Sequence, residues 1–195
     1  MKLNLHNVEF VKSAADPSGF ISDGLPQIVF AGKSNVGKSS VINCVLNRKN
    51  FARVGATPGR TVHINYFKVD RKAYFVDLPG YGFARVSDAE KKRWAVLMET
   101  FFRENDSIAL GVLIVDARHE PTADDKMMAR WFLEYGRPMV VLANKVDKLN
   151  KTEAGACPAR IAEALGLPEG CTVLPFSAEK GTNRGALISM IEKIP

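Results

Sequence analysis

The sequence predicts an α/β fold, a doubly wound, mostly parallel sheet with one antiparallel edge strand. Short apolar runs alternate along the chain with segments of helical periodicity, which is typical of parallel strands joined by crossover helices. The apolar runs are mostly continuous, as in strands that are covered on both faces. The chain has 195 residues, 46% of them hydrophobic, and this suffices for one domain with a substantial core.

The predicted strands and helices follow one another along the chain. Continuous apolar runs predict buried strands over residues 27–31, 73–77, 110–116, 139–143 and 172–176. Residues 62–69 are more polar and alternate, so this segment is the expected edge strand. Helical periodicity predicts helices over residues 38–46, 88–103, 123–134, 158–165 and 184–194.

Capping boxes mark two of the predicted helix starts. Ser87 precedes Glu90 by three residues, and Thr122 precedes Asp125 by the same spacing, so each pair of side chains can satisfy backbone N–H groups of the first turn. In the helix after Ser87, one apolar stripe is expected to face the core. Its members are Trp94, Leu97, Met98 and Phe101.

The domain organisation is expected to be simple. No repeat or linker divides the chain, so residues 1–26 are interpreted as an N-terminal extension of a single core over residues 27–195. No apolar run is long enough to span a bilayer, and the first ten residues lack the apolar centre of a signal peptide. We therefore expect a cytoplasmic protein without a membrane partner.

The cysteines and histidines do not suggest a metal site. Three cysteines without metal-type spacing predict reduced, structural thiols. The histidines also lack a common spacing and are interpreted as structural or exposed. These residues are Cys44, Cys157 and Cys171, and His6, His63 and His119.

The charge distribution suggests a polyanionic partner. The net charge is +6, and the sequence contains two clusters of basic residues. Residues 48–60 contain four basic residues and no acidic one: Arg48, Lys49, Arg53 and Arg60. A second cluster consists of Arg85, Lys91, Lys92 and Arg93. Such clusters are the electrostatic footprint expected of an RNA-binding protein.

The stretch FAGKSNVGKSS directly follows the first apolar strand. Gly32, Gly37, Lys38 and Ser39 match the phosphate-binding pattern G-x-x-x-x-G-K-[ST]. The glycines let backbone N–H groups converge on phosphates, Lys38 reaches the β- and γ-phosphates, and Ser39 ligates Mg²⁺. The sequence therefore predicts a nucleoside triphosphate site. Its loop contacts are Gly32, Lys33, Ser34, Asn35, Val36, Gly37, Lys38 and Ser39.

A second phosphate contact is predicted where the strand over residues 73–77 ends. The stretch Asp77, Leu78, Pro79 and Gly80 has the D-x-x-G pattern in the expected order and place. The Asp77 carboxylate can hold Mg²⁺ through a water, and the Gly80 N–H can sense the γ-phosphate.

A guanine site is predicted after two further strands. In Asn144, Lys145, Val146 and Asp147, the Asp147 carboxylate can accept both N1–H and N2–H of guanine, which adenine does not offer. Asn144 is expected to brace the loops, and the Lys145 stem to pack on the base. The other predicted contacts are Phe176, Ser177 and Ala178, with a backbone N–H of Ser177 or Ala178 directed to guanine O6.

These motifs, in this order, resemble the translation-factor-related GTPases. The stretches GKSNVGKSS, TPGRT and DLPGYGFARV narrow the resemblance to the EngB-type GTPases. The resemblance implies a single-domain, monomeric P-loop GTPase that hydrolyses GTP to GDP with Mg²⁺. It also implies a role in assembly of the large ribosomal subunit, with rRNA and ribosomal proteins of its precursor as partners, and in cell division and septation.

This chain departs from the family pattern at two places. GRTVH stands where the family more often has Gln after the Thr, and Asn144 stands where the family commonly has Thr. The first departure lies in the switch segment between the first helix and the edge strand. There the predicted nucleotide contacts are Gly59, Arg60, Thr61, Val62 and His63.

The switch segment offers two candidate Mg²⁺ ligands. The resemblance favours Thr61 as metal ligand and catalytic residue, and Thr57 remains the alternative. Arg60 is either a phosphate clamp, an RNA contact or a solvated arginine.

GTP hydrolysis is expected to require a further catalytic group. Tyr81 occupies the position at which Ras-like GTPases have the glutamine that orients the attacking water, so we expect slow hydrolysis by the isolated protein. Similar GTPases with Asn at the position of Asn35 use it to hold K⁺ against the phosphates, and the alternative is a hydrogen bond that braces the loop. The predicted catalytic residues are Lys38, Thr61 and Asn35.

Two other function classes compete with ribosome assembly. One is a signalling switch with a protein or membrane partner, which the absence of a lipidation motif disfavours. The other is a nucleotide kinase, which the guanine motif from Asn144 to Asp147 disfavours.

Overall fold

The computed structural model of this chain describes residues 1–53, 62–82 and 87–195. Within these ranges, seven strands form one sheet: β1 (Val8–Ala14), β2 (Gln27–Gly32), β3 (Ile64–Val69), β4 (Ala73–Asp77), β5 (Ile108–Asp116), β6 (Met139–Asn144) and β7 (Thr172–Pro175). The α-helices are α1 (Lys38–Leu46), α2 (Asp88–Glu104), α3 (Ala123–Glu134), α4 (Lys151–Leu165) and α5 (Arg184–Glu192).

The strand order is β1-β3-β4-β2-β5-β6-β7. Strand β3 runs antiparallel to both of its neighbours, and all other pairs are parallel. The predicted fold class, a mostly parallel sheet with an antiparallel edge, is therefore confirmed.

The edge itself contains a strand that the sequence did not predict. Strand β1 covers β3, so β3 lies second from the edge, and the expectation that residues 62–69 form the outermost strand was wrong. The side chains of β1 are mostly exposed and form no apolar run. A register shift between Phe10 and Lys12 also interrupts its pairing. A strand of this kind gives no hydrophobic signal, because its contribution to the sheet is mainly backbone hydrogen bonding.

Alternate side chains of β2 pack on opposite faces of the sheet. Ile28 and Phe30 belong to the cluster formed with α1 and α5. Val29 and Ala31 belong to the cluster formed with α2, α3 and α4. This is the doubly wound arrangement, in which helices on both faces bury a continuous apolar strand.

The predicted helices are all present. Helices α1 and α3 have the predicted bounds, and the capping boxes of Ser87 and Thr122 are formed. The predicted stripe on α2 faces the core: Leu97, Met98 and Phe101 are buried, and Trp94 is half-buried.

Three helix boundaries differ from the prediction, and the smallest difference is the end of α2, at Glu104 instead of residue 103. Helix α5 ends at Glu192. Helix α4 begins at Lys151 rather than at Pro158, because Asn150 and Glu153 form a third capping box. Pro158 lies inside α4, where its missing N–H leaves the Ala154 carbonyl without a helical partner. The Cys157 thiol donates to that carbonyl at 3.4 Å and replaces the missing bond.

The three cysteines are free, and burial raises the pKa of each thiol. Over the described ranges, no cluster of three His, Cys, Asp or Glu residues is arranged to hold a metal ion. Nor does this part of the chain contain a helix that is both long and apolar enough to cross a bilayer.

Candidate functional site

The phosphate loop connects β2 to α1 at the carboxyl edge of the sheet. A Cβ atom on Gly32 would lie 2.8 Å from Val36 Cγ1 and 2.9 Å from Ile114 O. Gly37 has a φ of +100°, and a Cβ atom there would lie 2.6 Å from Asn144 Nδ2. Both glycines are therefore required by close contacts as well as by the motif.

The start of α1 is open to an anion. Gly37 is the N-cap residue and provides no side-chain hydrogen bond to the first turn. The first backbone N–H groups of a helix have no intrahelical partner, and the helix dipole makes this end positive. Because no capping side chain or acidic residue of the first turn satisfies them, these N–H groups suit a phosphate.

Lys38 and Asp77 meet beside this helix start. Lys38 begins α1, Asp77 ends β4, and their side chains form an ion pair in which each is nearly buried. The structure thus brings together the cation predicted for the phosphates and the carboxylate predicted for Mg²⁺. The two charges neutralise each other here, and a Mg²⁺–triphosphate complex offers each of them a partner of opposite charge. Ser39 follows Lys38 and is half-buried at the same edge.

The segment after β4 lies against the phosphate loop. Leu78 N donates to Phe30 O at 3.0 Å, and Ser34 N donates to Tyr81 O at 2.8 Å. A Cβ atom on Gly80 would lie 3.4 Å from Ser34 Cα, which is a close approach of two backbones. On its other side, Trp94 Nε1 of α2 donates to Pro79 O at 3.3 Å. Backbone contacts therefore position Gly80 beside the loop.

The Tyr81 side chain is buried in the core. Its hydroxyl donates to Asp125 Oδ1 at 2.7 Å and is buried. Burial, together with the neighbouring Asp125 carboxylate, raises the pKa of Tyr81 well above its usual value. Asp125 also accepts from Thr122 N and Oγ1 at 2.8 Å each. Tyr81 is thus a structural link to the start of α3, and its hydroxyl is engaged by Asp125.

Asn144 joins the two ends of the site. Its Nδ2 donates to Val36 O at 3.0 Å, and its Oδ1 accepts from Ala178 N at 3.2 Å. The side chain is buried. Asn144 therefore braces the phosphate loop against the loop after β7, as the sequence predicted.

The Asp147 carboxylate is held ready to accept hydrogen bonds. Ser177 Oγ donates to its Oδ1 at 2.6 Å. Its Oδ2 is buried, accepts no hydrogen bond from the described residues and lies 3.2 Å from Lys148 Nζ. The hydrogen bond from Ser177, and after it the nearby Lys148 ammonium, lowers the pKa of Asp147, although burial opposes them. A charged carboxylate with a free oxygen suits the paired N–H donors of guanine.

Lys145 links this base-binding loop to the phosphate loop. Its Nζ donates to Asn35 O at 3.2 Å and to Asp116 Oδ2 at 3.0 Å. Asp116 ends β5 and also accepts two hydrogen bonds from the Arg118 guanidinium, at 2.9 and 2.8 Å. Burial alone would raise the pKa of Asp116, but the hydrogen bonds from Arg118 and Lys145 outweigh it and lower that pKa strongly.

Asp116 was missed by the sequence analysis. It belongs to no nucleotide motif, yet it ends a parallel strand next to β6, and Asp116 pairs directly with Asn144 in the sheet. The rule that ligands bind at the carboxyl ends of parallel strands was the signal that would have identified it.

The remaining predicted contacts fall into two groups. Thr57, Gly59, Arg60 and Thr61 lie outside the described residues, as does Arg85. Val62 and His63 are described and half-buried. Phe176 has its side chain fully buried in the core, while its backbone bonds Ala143 O and Val146 N. Phe176 therefore supports the loop after β7 from within the core, and its ring is not accessible to a base.

Comparisons with known proteins agree with this site. Residues 27–145 match the model of a family described as 50S ribosome-binding GTPase. The chain is 44% identical over 191 residues to the "Probable GTP-binding protein EngB" of Syntrophus aciditrophicus, covering 98% of this chain and 96% of that protein. It is 38% identical over 190 residues to the protein of the same name from Levilactobacillus brevis, covering 97% and 96%. The fold is similar to a crystal structure of a probable GTP-binding protein engB, with a TM-score of 0.72, 28% identity and coverage of 86% of this chain and 97% of that one.

Proposed function

Because this chain belongs to the EngB family of GTPases, we propose that it acts as a GTP-controlled assembly factor of the large ribosomal subunit. The family identity makes the chain a GTP-hydrolysing, guanine-nucleotide-binding enzyme. The proposed partner is a precursor particle, which the protein binds with GTP and leaves after hydrolysis. The observation that supports a nucleotide-controlled switch is the contact between the Gly80 segment and the phosphate loop.

Mg²⁺ and the triphosphate fit the residues that meet at the carboxyl edge of the sheet. In this proposal Mg²⁺ would neutralise negative charge on the triphosphate. Ser39 and Thr61 would hold the ion, and Asp77 would act on it through a water. Lys38 exchanges its ion pair with Asp77 for a contact to the phosphates, and the N–H groups at the start of α1 bind the same oxygens. The Gly80 N–H would bind the γ-phosphate, so the position of the residues after Gly80 would depend on whether that phosphate is present.

The base is selected at the other end of the site. Asp147 accepts N1–H and N2–H of guanine, and Lys145 packs its stem on the base. Ala178 N would donate to guanine O6 in exchange for its hydrogen bond to Asn144 Oδ1. Ser177 fixes the Asp147 carboxylate by the 2.6 Å hydrogen bond. Adenine would leave the buried Oδ2 of Asp147 without a donor, which is a penalty of about 1–3 kcal/mol or more.

K⁺ is the proposed second ion. The backbone carbonyl of Asn35 accepts from Lys145, whereas its exposed side chain makes no hydrogen bond to the described residues. This supports a ligand role of the side chain over a bracing role. K⁺ at this place would offset the charge that develops in the transition state, which Tyr81 does not do because it is bound to Asp125.

The particle contact is proposed to be with rRNA and ribosomal proteins in the cytoplasm, with the protein acting as a monomer. The net charge of +6 supports a polyanionic partner. A defect in subunit supply would impair growth, and this links the proposed activity to cell division and septation.

The test is co-sedimentation of the wild-type protein with large-subunit precursor particles. We expect association with a non-hydrolysable GTP analogue and loss of association with GDP or without nucleotide. Asp147→Asn provides the matched control, since that variant should require the XTP analogue instead. Binding that is equal in all states, or a partner found only in membranes or among non-ribosomal proteins, would overturn the proposal in favour of a signalling switch. Particles trapped in this way are suitable for cryo-electron microscopy.

A further inference from the structure

A second basic surface lies at the end of the sheet opposite to the phosphate loop. We call it the basal surface. It consists of six exposed cations from four separate segments of the chain: Lys2, Arg48, Lys49, Arg71, Lys72 and Lys193. The sequence places Arg48 and Lys49 beside the switch segment, but the fold directs them elsewhere.

Two side-chain hydrogen bonds bring three of these segments together. Arg48 Nη2 donates to His6 O at 2.6 Å, which attaches the residues after α1 to the N-terminal segment. Lys72 Nζ donates to Lys2 O at 3.2 Å, which attaches the turn between β3 and β4 to the same segment. The chain between residues 1 and 7 therefore holds the two basic loops side by side.

The fourth segment joins through the core. Leu3 and Ile194 belong to one apolar cluster and are both nearly buried. Lys2 and Lys193, their neighbours in sequence, are exposed above that cluster. The end of the chain thus contributes its cation to the basal surface.

The basal surface is remote from the nucleotide. Tyr74, near the start of β4, pairs with Gln27 at the start of β2, whereas the phosphate loop follows the end of β2. The six residues of β2 separate the two ends by about 20 Å at ~3.3 Å per residue. Arg48 and Lys49 follow the last turn of α1, and the phosphate loop precedes its first turn.

The charge of this surface is mostly uncompensated. Residues 1–7, 47–50, 70–72 and 192–195 contain the acidic residues Asp70 and Glu192. Asp70 pairs with Lys72 at 2.7 Å and accepts from Asn4 N at 3.1 Å. Among the residues that the structure describes, the other five cations form no ion pair. A dense group of unpaired cations is unfavourable in isolation and indicates an anionic partner.

Amide side chains lie among the cations. Asn4, Asn7, Asn47 and Asn50 are all exposed in the same segments. Lysine and arginine neutralise phosphates, and amides bond phosphate oxygens and 2′-hydroxyl groups, so this composition suits RNA. The large apolar side chains of these segments, Leu3 and Ile194 above all, are turned inward. A bilayer surface would instead be bound through exposed apolar groups.

We propose that the basal surface binds the phosphate backbone of RNA independently of the bound nucleotide. This contact keeps the protein on its particle while the residues around the nucleotide, at the carboxyl edge of the sheet, change their contacts. The identification of that RNA as ribosomal rests on the proposed function. The binding of RNA by this surface does not.

The test compares two variants with the same change in net charge. The basal variant combines Lys2→Gln, Lys49→Gln and Arg71→Gln. The control variant combines Lys126→Gln, Lys151→Gln and Arg130→Gln. All six side chains are exposed, and none forms an ion pair with a described residue. The probe is purified large-subunit rRNA, titrated over a range of salt concentrations with GDP, with a GTP analogue and without nucleotide.

The basal variant should lower the slope of log affinity against log salt by about two units, since each lost phosphate contact contributes about 0.7–0.9. The control variant should keep the wild-type slope within one unit, and the effect should be the same in all three nucleotide conditions. GDP affinity, measured in parallel, should be unchanged and shows that both variants are folded.

Three results would overturn the inference. Equal losses in both variants would show that only net charge matters. A loss confined to the GTP-analogue state would assign the contact to the switch. Loss of binding to vesicles of phosphatidylglycerol and phosphatidylethanolamine, with rRNA binding retained, would identify a lipid surface as the partner. If the wild-type protein binds rRNA as expected but shows no state-dependent association with particles, the proposed function fails while the basal surface stands.

Discussion

The Tyr81 hydroxyl donates a 2.7 Å hydrogen bond to Asp125, and both side chains are buried. Asp125 is also the residue that completes the capping box of α3. One carboxylate therefore caps a helix and holds the segment that follows Gly80. Because Tyr81 O accepts from Ser34 N, this anchor extends to the phosphate loop.

Tyr81→Phe should destabilise the fold without affecting chemistry. The variant leaves Asp125 Oδ1 buried without its donor, so we expect the free energy of unfolding to fall by about 1–3 kcal/mol. Urea denaturation measures this. Tyr74→Phe is the matched control, because the Tyr74 hydroxyl also bonds a carboxylate at 2.7 Å, that of the partly exposed Asp23, and should cost less. A collapse of GTP hydrolysis in Tyr81→Phe at retained stability would instead give Tyr81 a role in catalysis.

Asp116→Asn should accelerate nucleotide release. It removes the charge that holds Lys145 Nζ at 3.0 Å, so GDP and GTP affinities should fall by a similar factor, about tenfold. Hydrolysis of bound GTP in a single turnover should stay unchanged, since Lys145 acts on the base. Asp106→Asn, which alters a largely exposed carboxylate paired with Arg137, is the control and should match wild type. Unequal effects on GDP and GTP would contradict a role through the base.

The same carboxylate predicts a pH dependence of stability. The pKa of Asp116 is lower in the folded protein than in the unfolded chain, so the unfolded state binds the proton more readily. The stabilisation is therefore present above the unfolded pKa of about 4 and is lost as pH falls through the lower folded value. The stability difference between wild type and Asp116→Asn, measured by denaturation, should be constant near neutral pH and shrink below about pH 4. A difference that grows on acidification would exclude this linkage.

Base choice should reside in Asp147. Asp147→Asn should shift preference from GTP to XTP, because xanthine has a carbonyl where guanine has its amino group. Competition titration with both nucleotides measures the shift, and Asp106→Asn should leave it unaltered. Unchanged GTP preference would remove Asp147 from the base site.

Lys38→Ala should weaken nucleotide binding by roughly ten- to a hundredfold, from the loss of a charge-assisted contact of about 1.5–3 kcal/mol. It also leaves Asp77 nearly buried without its partner. Calorimetric titration with GTP measures the affinity, and Lys126→Ala, on an exposed face of α3, should bind like wild type. Wild-type affinity in Lys38→Ala would mean that the phosphates bind elsewhere.

Asn35→Ala should abolish stimulation by K⁺ while retaining GDP binding. Wild-type hydrolysis should be faster in K⁺ than in Na⁺ at equal ionic strength, and the variant should show one slow rate in both salts. The effect should appear in turnover, because the ion acts on charge that develops in the transition state. Identical wild-type rates in the two salts, or a K⁺ response that persists in the variant, would leave Asn35 as a residue of the loop alone.

Much of the fold was predictable because its signals are local. Continuous apolar runs gave the strands β2, β4, β5, β6 and β7 to within two residues of their bounds. Capping chemistry at Ser87 and Thr122 gave the starts of α2 and α3. The start of α4 was missed because proline is common at the first position of a helix, so Pro158 was taken as the start. The true N-cap is Asn150, and Pro158 lies inside the helix.

What the sequence by itself determined is the set of motifs: the phosphate loop, the Asp77 turn and the guanine motif from Asn144 to Asp147. Each is a short stretch whose chemistry depends on neighbours in the chain, and the order of the stretches predicts one binding edge. Only the tertiary structure decided the long-range pairs, because they join residues that no spacing relates. These are Tyr81 with Asp125, Asp116 with Lys145, and Arg48 with the carbonyl of His6. Strand β1 belongs with them, since an exposed strand has no apolar pattern and is specified by the sheet edge that it covers.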